Sequence, residues 1–149
     1  MSRSDASPVV TGELAVHATA DRICATEIEQ LAKLLAVVPL DRVALLATFR
    51  RIEQGLRDRS AELDRSGGLL DESDKAARPS LAREDERLRD EIDELLMEVE
   101  TCRRETVGPG GDDELRMCAG AVLAGLRGHR DAEASLVLES ADTEVGAGD

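Results

Sequence analysis

A histidine and a glutamate four residues apart, His129 and Glu133, are the side chains of this sequence best suited to chemistry. If the segment is helical, this spacing places both on one face. They belong to a stripe with steps of three and four residues whose apolar members are Ala119, Val122, Leu126 and Leu136. We therefore expect both side chains to point into a helical core. A buried imidazole and a buried carboxylate need a metal ion, an ion partner or a hydrogen-bond network.

The composition narrows the classes of function that this chain can serve. Its 149 residues suffice for one domain with a core. The 32 acidic against 19 basic residues give a formal charge of −13, which argues against binding nucleic acid. Apolar stretches are too short for a membrane span, and residues 1–10 do not resemble a signal peptide. With three cysteines, these features predict a cytoplasmic protein that acts without a nucleic acid or a membrane.

Helix-forming residues dominate the chain, and prolines at positions 39, 79 and 109 divide it where helical periodicity also breaks. Asp41 and Ser80 are well placed as N-caps, and Gly67-Gly68 as a stop signal. Asp112 and Asp113 open the last helix with carboxylates at its positive end. The predicted helices span residues 12–38, 41–66, 80–104 and 112–140. We expect residues 1–11 to be disordered, 69–79 to form a connector with at most a short helical turn, and 141–149 to form a flexible acidic tail.

Each predicted helix carries one stripe of the same period. The first consists of His17, Asp21, Cys24, Ile28, Leu31, Leu35 and Val38. The second consists of Leu45, Phe49, Ile52, Leu56, Arg59 and Leu63. The third consists of Leu81, Asp85, Leu88, Ile92, Leu95, Val99 and Cys102. Four striped helices joined by short breaks predict an all-α, up-down-up-down antiparallel four-helix bundle; a long coiled-coil dimer is the less favoured alternative.

The two halves of the chain resemble each other. Residues 21–31 align with 85–95, and 55–63 align with 125–133, so that Arg59 corresponds to His129 and Leu63 to Glu133. The bundle is therefore expected to consist of two similar helical hairpins.

Two hairpins of this kind, with a His-x-x-x-Glu pattern on the last helix, resemble the hemerythrin-like cation-binding domain over about residues 13–140. The resemblance implies a di-iron site inside the bundle, with one histidine from the first helix of each hairpin and a His-x-x-x-Glu from the second. Only His129 and Glu133 match that pattern. We place Asp21 and Asp85 at the positions of the missing first-helix histidines, since hairpins turning near residues 40 and 109 bring them level with the second-helix positions; another register would place Ile28 and Ile92 there.

Two interpretations of the cluster Asp21, Arg59, Asp85, His129 and Glu133 follow. In the first, Arg59 binds Asp21 and Glu133, His129 donates to Asp85, and no cofactor is needed. In the second, His129, Glu133, Asp21 and Asp85 hold one iron, manganese or zinc ion, although the Arg59 charge would repel it. Some of these side chains could also simply reach solvent.

The first interpretation predicts a non-enzymatic bundle that acts through an unidentified protein partner. The alternative is an iron- or manganese-binding oxygen or redox sensor. The cysteines Cys24, Cys102 and Cys118 fit small core positions. Cys102 and Cys118 lie at similar distances from the turn at Pro109 and can be neighbours. We expect no disulfide between them, because facing helix axes lie about 8–10 Å apart.

Overall fold

A computed structural model describes the backbone of residues 25–148 and the side chains of residues 25–141. Regular structure in this part of the chain is entirely helical, which confirms the all-α class. Helix α1 covers residues 25–35 of the described range. It is followed by α2 (Arg42–Ser66), the short α3 (Glu72–Ala77), α4 (Pro79–Val107) and α5 (Asp112–Gly148). The predicted disorder of residues 1–11 and the position of Asp21 lie outside the described residues.

Two of the predicted helix boundaries are confirmed in detail, whereas the predicted cap of α4 is wrong. The Asp41 side chain accepts a hydrogen bond from the Ala44 N–H at 3.1 Å, and Gly67 ends α2 in the left-handed conformation (φ 83°). Ser80 is not an N-cap, because α4 begins one residue earlier, at Pro79. Proline is favoured at the first helical position, where its fixed φ suits the helix and its missing N–H has no role.

Other helix ends also differ from the prediction. Helix α1 ends at residue 35 rather than 38, with a tighter turn whose N–H groups at Ala36 and Val37 bind carbonyls three residues earlier. The peptide bond between Val38 and Pro39 is cis, and a residue before proline is poorly suited to helix. Helix α4 extends to Val107, and α5 continues beyond Ser140 to Gly148, where the sequence contains no proline to stop it.

Helix α4 packs against both α2 and α5 and is antiparallel to each. Its ion pairs with α2 run in opposite chain order, with Arg103 on Glu53 (2.6 Å) and Arg89 on Asp64 (2.9 Å). At the end where the turns meet, the Arg42 guanidinium binds Asp112 at 3.0 Å and backbone carbonyls around residues 105–110. This arginine therefore connects the start of α2 to the turn between α4 and α5.

The predicted stripes on α2, α4 and α5 lie in the core. All members of the stripes on α2 and α4 are buried, as are the six predicted positions from Ala119 to Leu136 on α5. On α1 the prediction is confirmed for Ile28 and Leu31 and wrong for its last two members. Leu34 is buried in place of Leu35, which is only partly buried, and Val38 is 81% exposed because the helix ends before it. Among the described residues, no helix is both long enough and apolar enough to cross a bilayer.

Candidate functional site: a buried ion network

Three of the five predicted site residues meet between α2 and α5. Arg59 comes from the buried stripe of α2, and His129 and Glu133 come from successive turns of α5. The Arg59 guanidinium donates to Glu133 Oε1 at 3.0 Å, and both side chains are less than a tenth exposed. This confirms the predicted ion pair between Arg59 and Glu133. A second guanidinium nitrogen of Arg59 lies 3.6 Å from Glu62, one turn further along α2.

His129 lies between two carboxylates, one on each side of its ring. Its Nε2 is 3.0 Å from Glu133 Oε2, and its Nδ1 is 2.7 Å from Glu91 Oε1 on α4. An ionised carboxylate can only accept hydrogen bonds, so this arrangement fits a ring that carries a proton on both nitrogens. The network of Arg59, Glu133, His129 and Glu91 thus alternates positive and negative groups and links α2, α5 and α4.

The pKa values of the two central groups follow this alternation. Burial lowers the pKa of His129, but the hydrogen bonds and negative charges of Glu133 and Glu91 outweigh it and raise that pKa above 6.5. Burial also raises the pKa of Glu133, but His129 and the Arg59 charge more than compensate and hold it below 4.5. Both shifts therefore favour the charged form of the group.

The network continues to the surface of α4. Glu91 also accepts a hydrogen bond from Arg87 at 3.2 Å, and Arg87 binds Glu84 at 2.7 Å. Arg87 and Glu84 are largely solvated, whereas His129 and Glu133 are buried. The chain of charges therefore runs from solvent into the space between the helices, with Glu91, partly exposed, at the transition.

Asp85 is buried but does not join this network, so its predicted contact with His129 is wrong. Its two carboxylate oxygens accept hydrogen bonds from the backbone N–H groups of Leu69 (3.1 Å) and Leu70 (3.0 Å). The segment between α2 and α3 passes over the start of α4 and satisfies both oxygens of Asp85. The position facing His129 is taken instead by Glu91.

Sequence reasoning missed Glu91, since this residue is next to the stripe member Ile92 rather than on the stripe. The sequence nevertheless contained a signal that Glu91 faces His129. The hairpin register that makes Cys102 and Cys118 neighbours also pairs residue 91 with residue 129. Leu63, which replaces the second glutamate of the family pattern, is buried in the core.

As the described residues are arranged, they do not fit a resident iron or manganese centre. Both nitrogens of His129 face carboxylates, and Arg59 brings a fixed positive charge onto the carboxylate that would bind a cation. Because Glu91 and Glu133 lie on opposite sides of the ring, their two carboxylates and the imidazole do not converge on one point. Within the described part of the chain, no group of three or more His, Cys, Asp or Glu side chains is arranged to hold a metal ion.

Comparisons with known protein families, with curated proteins and with solved structures find no match to this chain. The resemblance to hemerythrin-like domains therefore rests on the residue pattern given above.

Proposed function

We propose that this protein is a non-enzymatic, hemerythrin-like module in which an ion network replaces the metal centre. In this proposal its helices form an up-down-up-down four-helix bundle built from two related hairpins. The observation that carries the proposal is the buried contact of 3.0 Å between Arg59 and Glu133, beside His129. A guanidinium at this point neutralises the carboxylate, which is the electrostatic role a bound cation would otherwise have.

Metal analysis of the purified full-length protein tests this proposal. After incubation with Fe(II) or Mn(II) and removal of excess metal, we expect well under one metal ion per chain, no visible absorption and no change in Tm. Stoichiometric binding with a rise in Tm would instead favour the alternative, an iron or manganese sensor, and would show that the network opens to admit a cation.

A double variant tests the relation between the two hairpins. Arg59→His with Leu63→Glu would reproduce in α2 the spacing of His129 and Glu133 and remove the guanidinium. The bundle interior would then offer two imidazoles and three carboxylates, including Glu91, a set that suits a two-metal site. We expect this variant to bind Fe(II) or Mn(II) and to melt higher with metal than without. The matched control is Arg59→Met with Leu63→Glu, which removes the guanidinium without supplying the second imidazole.

The partner we propose is a protein with an apolar and basic surface. At the end where the two hairpin turns meet, Val37, Val38, Val43 and Val107 are exposed, the last three by 71–82%. Asp41 and Asp113 are exposed at the same end, and the whole chain carries a charge of −13. Exposed apolar side chains at one end of an acidic molecule suit a protein surface that combines apolar and positively charged side chains.

Site-specific photo-crosslinking in the native cells tests this partner. A crosslinking residue in place of Val43 is compared with one in place of Glu72, which is highly exposed at the start of α3, beyond the opposite end of α2. We expect a defined protein adduct from position 43 that contains a basic segment at the crosslink, and none from position 72. Equal adducts from both positions would contradict a contact at the valine-lined end.

A further inference from the structure

Two thiols face each other across the α4–α5 hairpin, away from the ion network. Cys102 on α4 is fully buried, Cys118 on α5 is partly exposed, and both are free. The neighbouring Cys118 thiol contributes to raising the pKa of Cys102, as expected for two side chains that lie close together. One member of the pair is therefore sealed in the core, while the other is accessible to small solutes.

The register of the hairpin independently places these two residues opposite each other. Glu91 and His129 are in contact at 2.7 Å. Leu95 lies four residues after Glu91 on α4, and Gly125 lies four residues before His129 on α5. These two residues also pack closely, since a Cβ added to Gly125 would lie 2.8 Å from Leu95 Cδ2. Another seven residues in each direction, two helical turns, lead to Cys102 and Cys118. The same faces of the two helices therefore meet at the thiols.

We propose that Cys102 and Cys118 form a peroxide-sensitive dithiol that closes to an intramolecular disulfide between α4 and α5. Hydrogen peroxide supplies the oxidant. The Cys118 sulfur attacks one peroxide oxygen, the O–O bond breaks, and a sulfenic acid and water form. The Cys102 sulfur then attacks the Cys118 sulfur, the S–O bond breaks, and the oxygen leaves as water with the Cys102 proton. Two electrons pass from the thiols to one peroxide, and two water molecules result.

The environments of the two thiols fix their order in this reaction. Peroxide reaches Cys118, which is partly exposed, more easily than Cys102, which is enclosed by the core. Burial, together with the neighbouring Cys118 thiol and the charges of Glu98 and Glu105, raises the pKa of Cys102, so this residue stays a thiol until the sulfenic acid forms beside it. Cys118 is thus the residue that reacts with peroxide, and Cys102 is the resolving residue.

Disulfide formation requires the helices to move closer at this level, since an S–S bond is about 2.05 Å long. Both cysteines lie within two turns of the Gly108–Gly111 connection, where α4 ends and α5 begins. Helix ends next to a turn adjust more easily than the middle of a packed pair. Closure would fasten this turn, beside the exposed valines. In a reducing compartment such a disulfide would serve as a reversible signal.

The test uses the full-length Cys24→Ser protein, in which Cys102 and Cys118 are the remaining thiols. After treatment with hydrogen peroxide we expect loss of both free thiols, a mass lower by two hydrogen atoms, a monomer on a non-reducing gel and a higher Tm. A reducing agent should reverse all four changes. Because the chain has no Trp or Tyr, unfolding is followed by far-UV circular dichroism.

Variants separate the two roles. In Cys24→Ser with Cys102→Ala, the Cys118 sulfenic acid should persist and react with dimedone. In Cys24→Ser with Cys118→Ser, Cys102 should resist peroxide until the chain is unfolded in urea. Disulfide-linked dimers, over-oxidation of Cys118 with an intact Cys102 thiol, or a bridge that forms only in urea would each overturn the proposal. Metal content has no bearing on any of these outcomes, so the inference does not rest on the proposed function.

Discussion

Glu133 and Asp85 are both buried carboxylates on the inner faces of neighbouring helices, but their charges are balanced in different ways. Glu133 lies between two side chains, Arg59 on α2 and His129 on its own helix. Asp85 accepts two backbone N–H groups from the connection between α2 and α3, and its nearest cation, Lys75, is 4.0 Å away. The first acid therefore depends on the charge state of its neighbours, and the second on the path of the backbone.

The difference determines how each site responds to change. Backbone N–H groups do not titrate and cannot be removed by substitution, so the Asp85 site is sensitive to whatever disturbs the turn that presents them. The Glu133 site instead loses a full charge when one side chain is replaced, or when pH changes the protonation of His129.

Arg59→Met should have the largest effect. It removes the guanidinium and leaves Glu133 buried with His129 as its remaining partner among the described residues, so we expect the free energy of unfolding to fall by about 3–5 kcal/mol at neutral pH. The loss should grow above the pKa of His129, where that ring also becomes neutral, and shrink in acid as Glu133 is protonated. Urea unfolding followed by circular dichroism at several pH values measures it.

The matched control for Arg59→Met is Arg89→Met. Arg89 pairs with Asp64, which is 71% exposed, at 2.9 Å, close to the 3.0 Å between Arg59 and Glu133. A solvated pair contributes at most about 1 kcal/mol. If the two variants were equally stable, Arg59 would be solvated in solution and the network would not be buried.

Gly68→Ala should have the next largest effect, because it tests the backbone that holds Asp85. Gly68 has a φ of 122°, and an added Cβ would lie 2.6 Å from Asp85 Oδ2. We expect a loss of about 2–4 kcal/mol from strain and displacement of the carboxylate. Gly67→Ala is the matched control: its φ is 83° and its Cβ would meet nothing closer than 3.7 Å, so the loss should be about 1–2 kcal/mol. Equal losses would mean that the turn moves away from Asp85 at little cost.

His129→Gln should cost less, about 1–3 kcal/mol, and its effect should depend on pH. The folded state raises the pKa of His129 above 6.5, so the stabilisation is complete below pH 6.5 and is lost as pH rises through the folded-state pKa. The wild-type protein should therefore lose its advantage over the variant as the solution becomes alkaline. Glu133, whose pKa is lowered, acts in the opposite sense and loses its stabilisation as pH falls below 4.5. A difference between wild type and variant that stays constant from pH 5 to 9 would mean that the ring does not titrate in the folded protein.

The contrast between the two acids also explains which parts of the site were predictable. The stripe on α2 and the i, i+4 spacing on α5 were sufficient to predict that Arg59, His129 and Glu133 share an interior, because helical geometry fixes such positions from the sequence. Asp85 was correctly predicted to be buried, but its partners are N–H groups of a turn, and a sequence carries no residue-type signal for them. Glu91 was missed because it lies one position off the stripe. Its side chain is nevertheless long enough to reach inward to His129.

Helix ends were predictable where a side chain or a left-handed glycine determines them, as at Asp41 and Gly67. They were not predictable where the ends depend on competition between neighbouring signals. Pro79 and Ser80 both favour a helix start, and the proline prevails. Before Pro39, the periodicity continues to Val38, but the helix has already ended at residue 35.

The smallest expected effect belongs to Lys75→Met, which removes the cation nearest to Asp85. Lys75 lies 4.0 Å from Asp85 Oδ2 and also donates to the Gly67 carbonyl. Because the two oxygens of Asp85 already accept hydrogen bonds from Leu69 and Leu70, losing this distant charge should reduce the free energy of unfolding by about 1 kcal/mol or less.

A pair of double-mutant cycles compares the Lys75–Asp85 and Arg59–Glu133 ion pairs directly. Lys75→Met combined with Asp85→Asn should show little coupling, whereas Arg59→Met combined with Glu133→Gln should show a coupling of about 1.5 kcal/mol or more, since there each variant removes the charge that the other leaves unpaired. Urea unfolding of the four single and two double variants at neutral pH supplies both cycles. Similar coupling in the two cycles would mean that Asp85 depends on its ion partner as Glu133 does. The distinction between a carboxylate held by backbone and one held by charges would then not apply to this protein.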